Sequence, residues 1–517
     1  MRKNNDILPL LIFSSAEDQA NAQRVSRLAR AGKLRPIHRG IYTSDLETPL
    51  EKIVRPNWRQ IAEYLYPGSV LGYRSAQEGK PDPEGRVFLV QGSRARRTEL
   101  PGLTLIIIPG PSPVLGLEPA LNDTPYGKLF VSSEARRLLE NLYTGRDATI
   151  RTMGRVWVES NLSRLCTLRG EYRVNDLRDT ARQLAEILGL DAQFKILNDI
   201  VSALMQTGEA RHLSAVDALA RAAGKPYDPD RLVIFDALFT ALRQSFAQVP
   251  DPTTPGLSSI NFAFFESYFS NYIEGTTFTV EEASEIIFEG KMIEKRPEDS
   301  HDMLGTYQAI TQQPFRSSPP GNEDDFLEWL KLTNHRVLSS RPDKHPGQWK
   351  EKLNQAGSTL FVHPELVQGT LREGFKRVAL LEDPLARALM TMFVVTEVHP
   401  FEDGNGRTAR LAMNAYLTQA SACRIIIPTA YREDYLLPLK ALSRNADPVP
   451  FLRSMTRAQA WSSAFDYSDF QTTWKQMAAC NAFADDITRN KLLHPHETRS
   501  LVDDNTVNNK HIDATTG

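Results

Sequence analysis

HPFEDGNGRTAR, residues 399–410, decides how the rest of the chain is read. DPLARALMTMFVVTEV precedes it, with Leu385, Leu389, Met392, Phe393 and Thr396 on one helical stripe. Pro384 suits a first helical turn, and Pro400 disfavours helical backbone at His399, so the helix should stop there. GRTARLAMNAYLTQA, from Gly406, starts a second helix. The spacing predicts a short loop gripped between two helices.

The loop's residue types share one chemistry. Gly404 and Gly406 allow backbone conformations that other residues avoid and let a ligand come close. They stand at a helix start, where unpaired N–H groups and the dipole favour an anion. Arg407 and Arg410 are three residues apart and share a face, which suits a polyphosphate better than a single phosphate. Asp403 is out of place in an anion site unless a divalent cation accompanies the phosphates, as Mg²⁺ accompanies ATP. His399 can take a proton near neutral pH. A tight interhelical turn capped by Asn405 would account for the glycines and the asparagine, but not for the histidine, aspartate and two arginines together.

The stretch resembles the Fic signature, H-P-F-x-[D/E]-G-N-G-R-x-x-R, at every fixed position, and a looser likeness covers about residues 256–470. The resemblance implies a mainly α fold, an all-helical core with a small β-hairpin flap, and transfer of AMP from ATP to a Ser, Thr or Tyr hydroxyl of a target protein, with self-modification. It implies His399 as base, Phe401 in the core and Asp403 on Mg²⁺. Gly404, Asn405 and Gly406 would line the phosphate cradle. Arg407 would hold the triphosphate, Arg410 would reach the γ-phosphate, and Asn414, on the Arg410 face, would meet the nucleotide. QAGSTLFVHPEL, residues 355–366, is the flap candidate, strand-like from Thr359 to Val362 and broken by His363-Pro364. Some members of the family remove AMP instead, and that reading stays open.

FFESYFSNYIEGTTFTVEEA, residues 264–283, places Phe265, Tyr268, Phe269, Tyr272 and Ile273 on an apolar helical face that ends at Gly275. Glu274 then lies at a helix C-terminus, where the dipole disfavours a carboxylate. No Arg or Lys lies within ten residues on either side, so a cationic partner must come from far along the chain. Ser270 to Gly275 resembles the inhibitory [S/T]-x-x-x-E-[G/N] motif of Fic proteins. That likeness implies a Glu274–Arg410 pair occupying the γ-phosphate position.

The 517 residues suggest two to four domains. Net charge is −2, which gives the whole chain no bias towards nucleic acid or membrane. Residues 20–100 are different: 15 Lys/Arg against 8 Asp/Glu give +7, leaving −9 for the rest. AEDQANAQRVSRLARAGKLRPIHRGIYTS reads as a basic helix closed by Gly32, then a short hairpin around Gly40. LARAGKLRPIHRGIY resembles the N-terminal winged-helix module of AbiEi-type antitoxins. That implies DNA contact through Arg24, Arg27, Arg30, Lys33, Arg35 and Arg39, and offers a competing reading: a DNA-binding regulator whose Fic domain senses nucleotide.

The expected organisation is a winged-helix-like α+β region over 1–135, with strands in 85–135, and a helical connector over 136–255. A Fic domain with its N-terminal inhibitory helix follows over 256–475, and a polar tail over 476–517. VPDPTTPG, residues 249–256, reads as a linker. His494 and His496 read as solvated tail residues. Cys166, Cys423 and Cys480 lack metal or disulfide spacing and fit a reducing compartment. The apolar run Ile7–Phe13 is short, holds Pro9 and makes a poor signal peptide, and no run reaches membrane length. A cytoplasmic protein without a membrane partner is expected, with room for a homodimer.

Overall fold

The chain divides at Gly224 into two units, Met1–Gly224 and Lys225–Gly517. The structure is a computed structural model that describes residues 8–14, 19–111, 113–116, 118–485 and 491–498.

In the first unit the helix Gln19–Arg30 leads into a hairpin of β2 (Arg35–His38) and β3 (Ile41–Thr43), with β1 (Leu11–Phe13) added alongside β3. Gly32 and Gly40 take positive φ, as the cap and turn require. The expected helix-then-hairpin is present. Among the described residues no helix precedes Gln19–Arg30. The expected strands of 85–135 belong to a six-stranded mixed sheet, in order β6-β7-β5-β4-β9-β8. These are β4 (Val70–Leu71), β5 (Arg86–Val90), β6 (Arg96–Leu100), β7 (Leu103–Ile108), β8 (Thr124–Tyr126) and β9 (Leu129–Val131). Leu103, Leu105 and Ile107 face one core and Ile108 faces another, so the period of two serves a sheet covered on both sides. Helices Arg155–Leu188, interrupted at Gly170, Asp191–Leu204 and Val216–Ala222 form a separate apolar cluster with the helix Glu134–Glu140.

The second unit is helical and has one large core. Helix Pro384–Val398 runs through it, capped by Asp383, whose carboxylate accepts from the amides of Leu385 (2.9 Å) and Ala386 (3.0 Å). The sequence suggests a single buried stripe. Instead this helix is buried on nearly every side, because Val367–Leu380, Asn405–Gln419 and Pro229–Leu242 all pack against it. Helix Leu257–Ile273 is enclosed in the same way: Phe262, Phe264, Phe265 and Phe269 are fully buried. Phe265 stacks on Phe470, and Phe269 meets Phe483.

Two boundaries differ from the sequence reading. The units divide at Gly224, not after the VPDPTTPG stretch, and Pro229–Leu242 belongs with the second unit. VPDPTTPG is pinned rather than free: Cys423 donates its amide to the Val249 carbonyl (2.7 Å), and Asp251 donates to Ser421 (3.1 Å). Residues 491–498 also fold back, with Leu492 buried and the Trp461 indole donating to the Leu493 carbonyl at 3.0 Å. The expected tail beyond residue 498 lies outside the described residues. No described helix is long and apolar enough to cross a membrane.

Candidate active site

His399 closes the Pro384–Val398 helix in the left-handed region, φ +53°, just before Pro400. Leaving helical geometry there turns the ring into the loop mouth. Its Nδ1 lies 3.3 Å from the Thr396 carbonyl, which can only accept, so Nδ1 carries the proton and Nε2 keeps its lone pair. Phe361, just after the flap, stacks on the imidazole at 3.8 Å with rings 8° from parallel. Burial pushes the His399 pKa down to about 4, with the Thr396 carbonyl opposing and the Lys350 charge assisting. The ring is therefore neutral, and able to accept a proton, throughout the physiological range.

The cradle follows at the start of helix Asn405–Gln419. Gly404, φ +73°, is packed so that a Cβ would come within 2.9 Å of the Leu338 side chain and 3.0 Å of Asn334. Asn334 donates to the Asp403 carbonyl at 2.9 Å. Asn405 does not face the cradle. Its side chain is buried, accepting from the Phe401 amide (2.8 Å) and donating to the Phe401 carbonyl (2.9 Å), which ties the loop shut. Phe401 itself is buried against Trp349. Asn405→Ala leaves the Phe401 amide without its partner, while the Phe401 carbonyl keeps Asn354, and is expected to cost roughly 1–3 kcal/mol, read as a lower midpoint in thermal or urea unfolding.

Gly406 marks the closest approach. A Cβ there would fall 2.2 Å from Glu274 Oε1. Glu274 caps the Leu257–Ile273 helix, and Gly275 turns the chain away at φ +96°. Arg410 Nη2 donates to Glu274 Oε1 at 2.6 Å and to the Ser270 carbonyl at 2.9 Å, while its Nε donates to Ser270 Oγ at 3.0 Å. The distant cation that Glu274 calls for is therefore Arg410, which is nearly fully buried. Burial alone would raise the Glu274 pKa, but Arg410 and Arg407 outweigh it and hold the carboxyl below its ordinary value. About a third of the carboxylate side chain stays exposed, at 33%.

Several partners carry no sequence signal. Arg407 donates to Asp302 at 2.7 Å and lies 3.7 Å from Asp403 Oδ1, and Asp302 is also held by Arg341 at 3.3 Å. The buried Tyr435 hydroxyl also interacts electrostatically with Arg410. Asn414, expected at the nucleotide, is buried with its amide engaged: Nδ2 donates to Glu266 (2.7 Å) and the Ile425 carbonyl (3.0 Å), and Oδ1 accepts from the Ile425 amide (2.8 Å). Glu266 in turn is paired with Arg424 at 2.6 Å. Asp302, Tyr435 and Glu266 come from three different helices, and no local pattern marks a buried polar residue as the partner of one far away.

The flap is present in brief: Gln355–Ala356 pairs antiparallel with Thr359–Leu360, turning at Gly357, φ +60°. It is shorter than the Thr359–Val362 strand expected, since Val362 is fully buried in the core. In the first unit, Arg24, Arg27, Arg30, Lys33 and Arg39 are exposed, while Arg35 is half-buried and donates to the Thr48 carbonyl at 3.1 Å.

Residues 325–417, which hold the loop and both flanking helices, match the Fic/DOC family. A protein adenylyltransferase Fic from Nematostella vectensis is 29% identical over 226 residues, 42% of this chain and 51% of that protein. Protein adenylyltransferase fic-1 from Caenorhabditis elegans is 25% identical over 199 residues, 38% of this chain and 39% of that one. The chain thus spans about half, or less, of the length of these relatives. Among solved structures, Fic-1 from C. elegans covers 62% of this chain and 97% of its own at 17% identity, with a TM-score of 0.35. A Fic domain protein from Bacteroides thetaiotaomicron covers 45% and 92% at 20% identity, also with a TM-score of 0.35. Residues 325–417 form a Fic/DOC domain, in a chain homologous to protein adenylyltransferases named Fic.

Proposed function

We propose that this protein transfers AMP from ATP to a hydroxyl group of a polypeptide, and that Glu274 restrains it. The observation that carries this reading is the convergence, on one loop, of a neutral imidazole whose Nε2 has no partner among the described residues, a glycine-lined helix start and two buried arginines. The target hydroxyl gives its proton to His399 Nε2 as its oxygen bonds to the α-phosphorus. The bond from that phosphorus to the bridging oxygen breaks, and pyrophosphate leaves. The protein contributes positioning and charge stabilisation rather than covalent chemistry.

Asp403 fits the role of holding the magnesium that accompanies ATP. Its Oδ1 takes the Gly404 amide at 2.6 Å, its side chain is 40% exposed, and Mg²⁺ needs only one or two carboxylates beside phosphate oxygens. When bound, the ion would neutralise phosphate charge. Arg407, Asp302 and Asp403 keep that corner ordered. ATP labelled in the α-phosphate should label protein, whereas γ-labelled ATP should not. Label from the γ-phosphate alone would overturn the reading.

The Glu274 carboxyl titrates below its ordinary value, so its pairing with Arg410 holds above that value and is lost only as pH falls through the lowered pKa. The ratio of Glu274→Gly to wild-type transfer is therefore expected to stay flat from about pH 5.5 to about pH 8. A ratio that collapses within that window would show that the restraint rests on another group.

A DNA-binding role for the first unit is a second reading, supported by the exposed Arg24, Arg27, Arg30, Lys33 and Arg39. It requires a mobility shift with duplex DNA that weakens steeply with salt. Cytoplasmic residence and a homodimer belong to the same proposal. The three cysteines are buried, and their number and spacing suit a reducing compartment.

A further inference from the structure

The flap is held by charges from a helix well ahead of the Fic/DOC match. Arg231, on helix Pro229–Leu242, donates from Nη2 to the Leu360 carbonyl at 2.5 Å and from Nη1 to Glu397 Oε1. Its Nε lies 3.7 Å from Asp228 Oδ2. Glu397 is 3% exposed, sits two residues before His399 and also accepts from Ser443 Oγ at 3.1 Å. One guanidinium therefore joins the flap to the last turn of the helix that presents the imidazole.

The register explains why the Leu360 carbonyl is available. A two-residue turn at Gly357-Ser358 makes Ala356 and Thr359 the pair that exchanges hydrogen bonds. Leu360 then points its own N–H and C=O away from Gln355, and ladder bonding resumes at Phe361, whose amide donates to the Asn354 carbonyl at 3.2 Å. A side chain, a partner strand or water can satisfy the outward carbonyl, and here Arg231 does so.

A second tether supports the first. Lys350 is 5% exposed and donates to Asn354 Oδ1 (2.7 Å) and the Val398 carbonyl (3.3 Å). Asn354 donates to the Phe401 carbonyl at 3.0 Å. A hairpin with two residues per strand cannot hold itself rigid in water, so its geometry over His399 depends on these ties.

We propose that Arg231, clamped by Glu397, is a positioning residue that fixes the flap over the catalytic loop and thereby governs capture of the polypeptide acceptor, not of ATP. The inference rests on the AMP-transfer reading for its consequence but not for its geometry. The test compares full-length Glu274→Gly with Glu274→Gly/Arg231→Gln. Hydrogen–deuterium exchange should quicken about tenfold in residues 354–361 and stay unchanged in helices Leu257–Ile273 and Asn405–Gln419. Self-labelling from α-labelled ATP should fall about tenfold, with the KM for ATP within about twofold. Unchanged flap exchange overturns the proposal. So does exchange that rises throughout the second unit, which would mean a merely structural role, or a loss of labelling that follows the KM for ATP. If the Glu274→Gly parent transfers no label, the AMP-transfer reading fails instead, and the exchange measurement still decides the clamp.

Discussion

Glu274→Gly is expected to raise transfer of AMP to protein by roughly ten- to a hundredfold. The carboxylate occupies the space over Gly406 and takes the Arg410 guanidinium at 2.6 Å, and both are groups that a triphosphate would need. A charge-assisted hydrogen bond is worth ~1.5–3 kcal/mol, which corresponds to that range of rates. Arg410 would not be left stranded in the variant, since the Ser270 hydroxyl and carbonyl still hold it. Initial rates with α-labelled ATP measure the effect. Equal rates in the two proteins would remove Glu274 as a restraint.

His399→Ala in the Glu274→Gly background is expected to reduce transfer to background while ATP still binds. The imidazole lies at the loop mouth, with its Nδ1 turned to Thr396, and makes no contact with Arg407 or Arg410 among the described residues. General-base help contributes typically 10²–10⁴-fold, so the loss should be of that order. Calorimetric titration with ATP separates the two effects. Substantial transfer in the variant would place the base elsewhere.

The loop and its helices are legible in the sequence because proline and glycine punctuate them and because a helix start is a ready-made anion site. The Glu274–Arg410 pair is legible in two parts: a carboxylate at a helix C-terminus with no cation nearby calls for a distant one, and only the likeness to the inhibitory motif names that cation as Arg410. Asn405 and Asn414 are different. Their spacing suggests ligand contact, but the structure spends the Asn405 amide on the Phe401 main chain and the Asn414 amide on the Ile425 main chain and Glu266, and nothing in the sequence distinguishes an amide that binds a ligand from one that ties a loop. Asp302, Tyr435, Arg231 and Glu397 are invisible for a related reason. Each is one polar residue on an ordinary helix, and only the tertiary packing reveals its partner. The VPDPTTPG stretch reads as a linker from composition, yet its backbone bonds to residues 421–423 make it part of the core edge.

The aromatic packing of helix Leu257–Ile273 limits how Arg410 can be released. Phe262, Phe264, Phe265 and Phe269 anchor the rod on several sides, so sliding it out would expose the centre of the unit. The end carrying Ser270 and Glu274 is tied down as well: the Thr276 amide donates to the Asn271 carbonyl at 3.2 Å, and Phe278 is buried in the same core with its carbonyl accepting from the Tyr268 hydroxyl at 2.9 Å. Parting the carboxylate from the guanidinium is therefore expected to come from a swing of the Glu274 side chain, a third of which is exposed, while the rod stays in place.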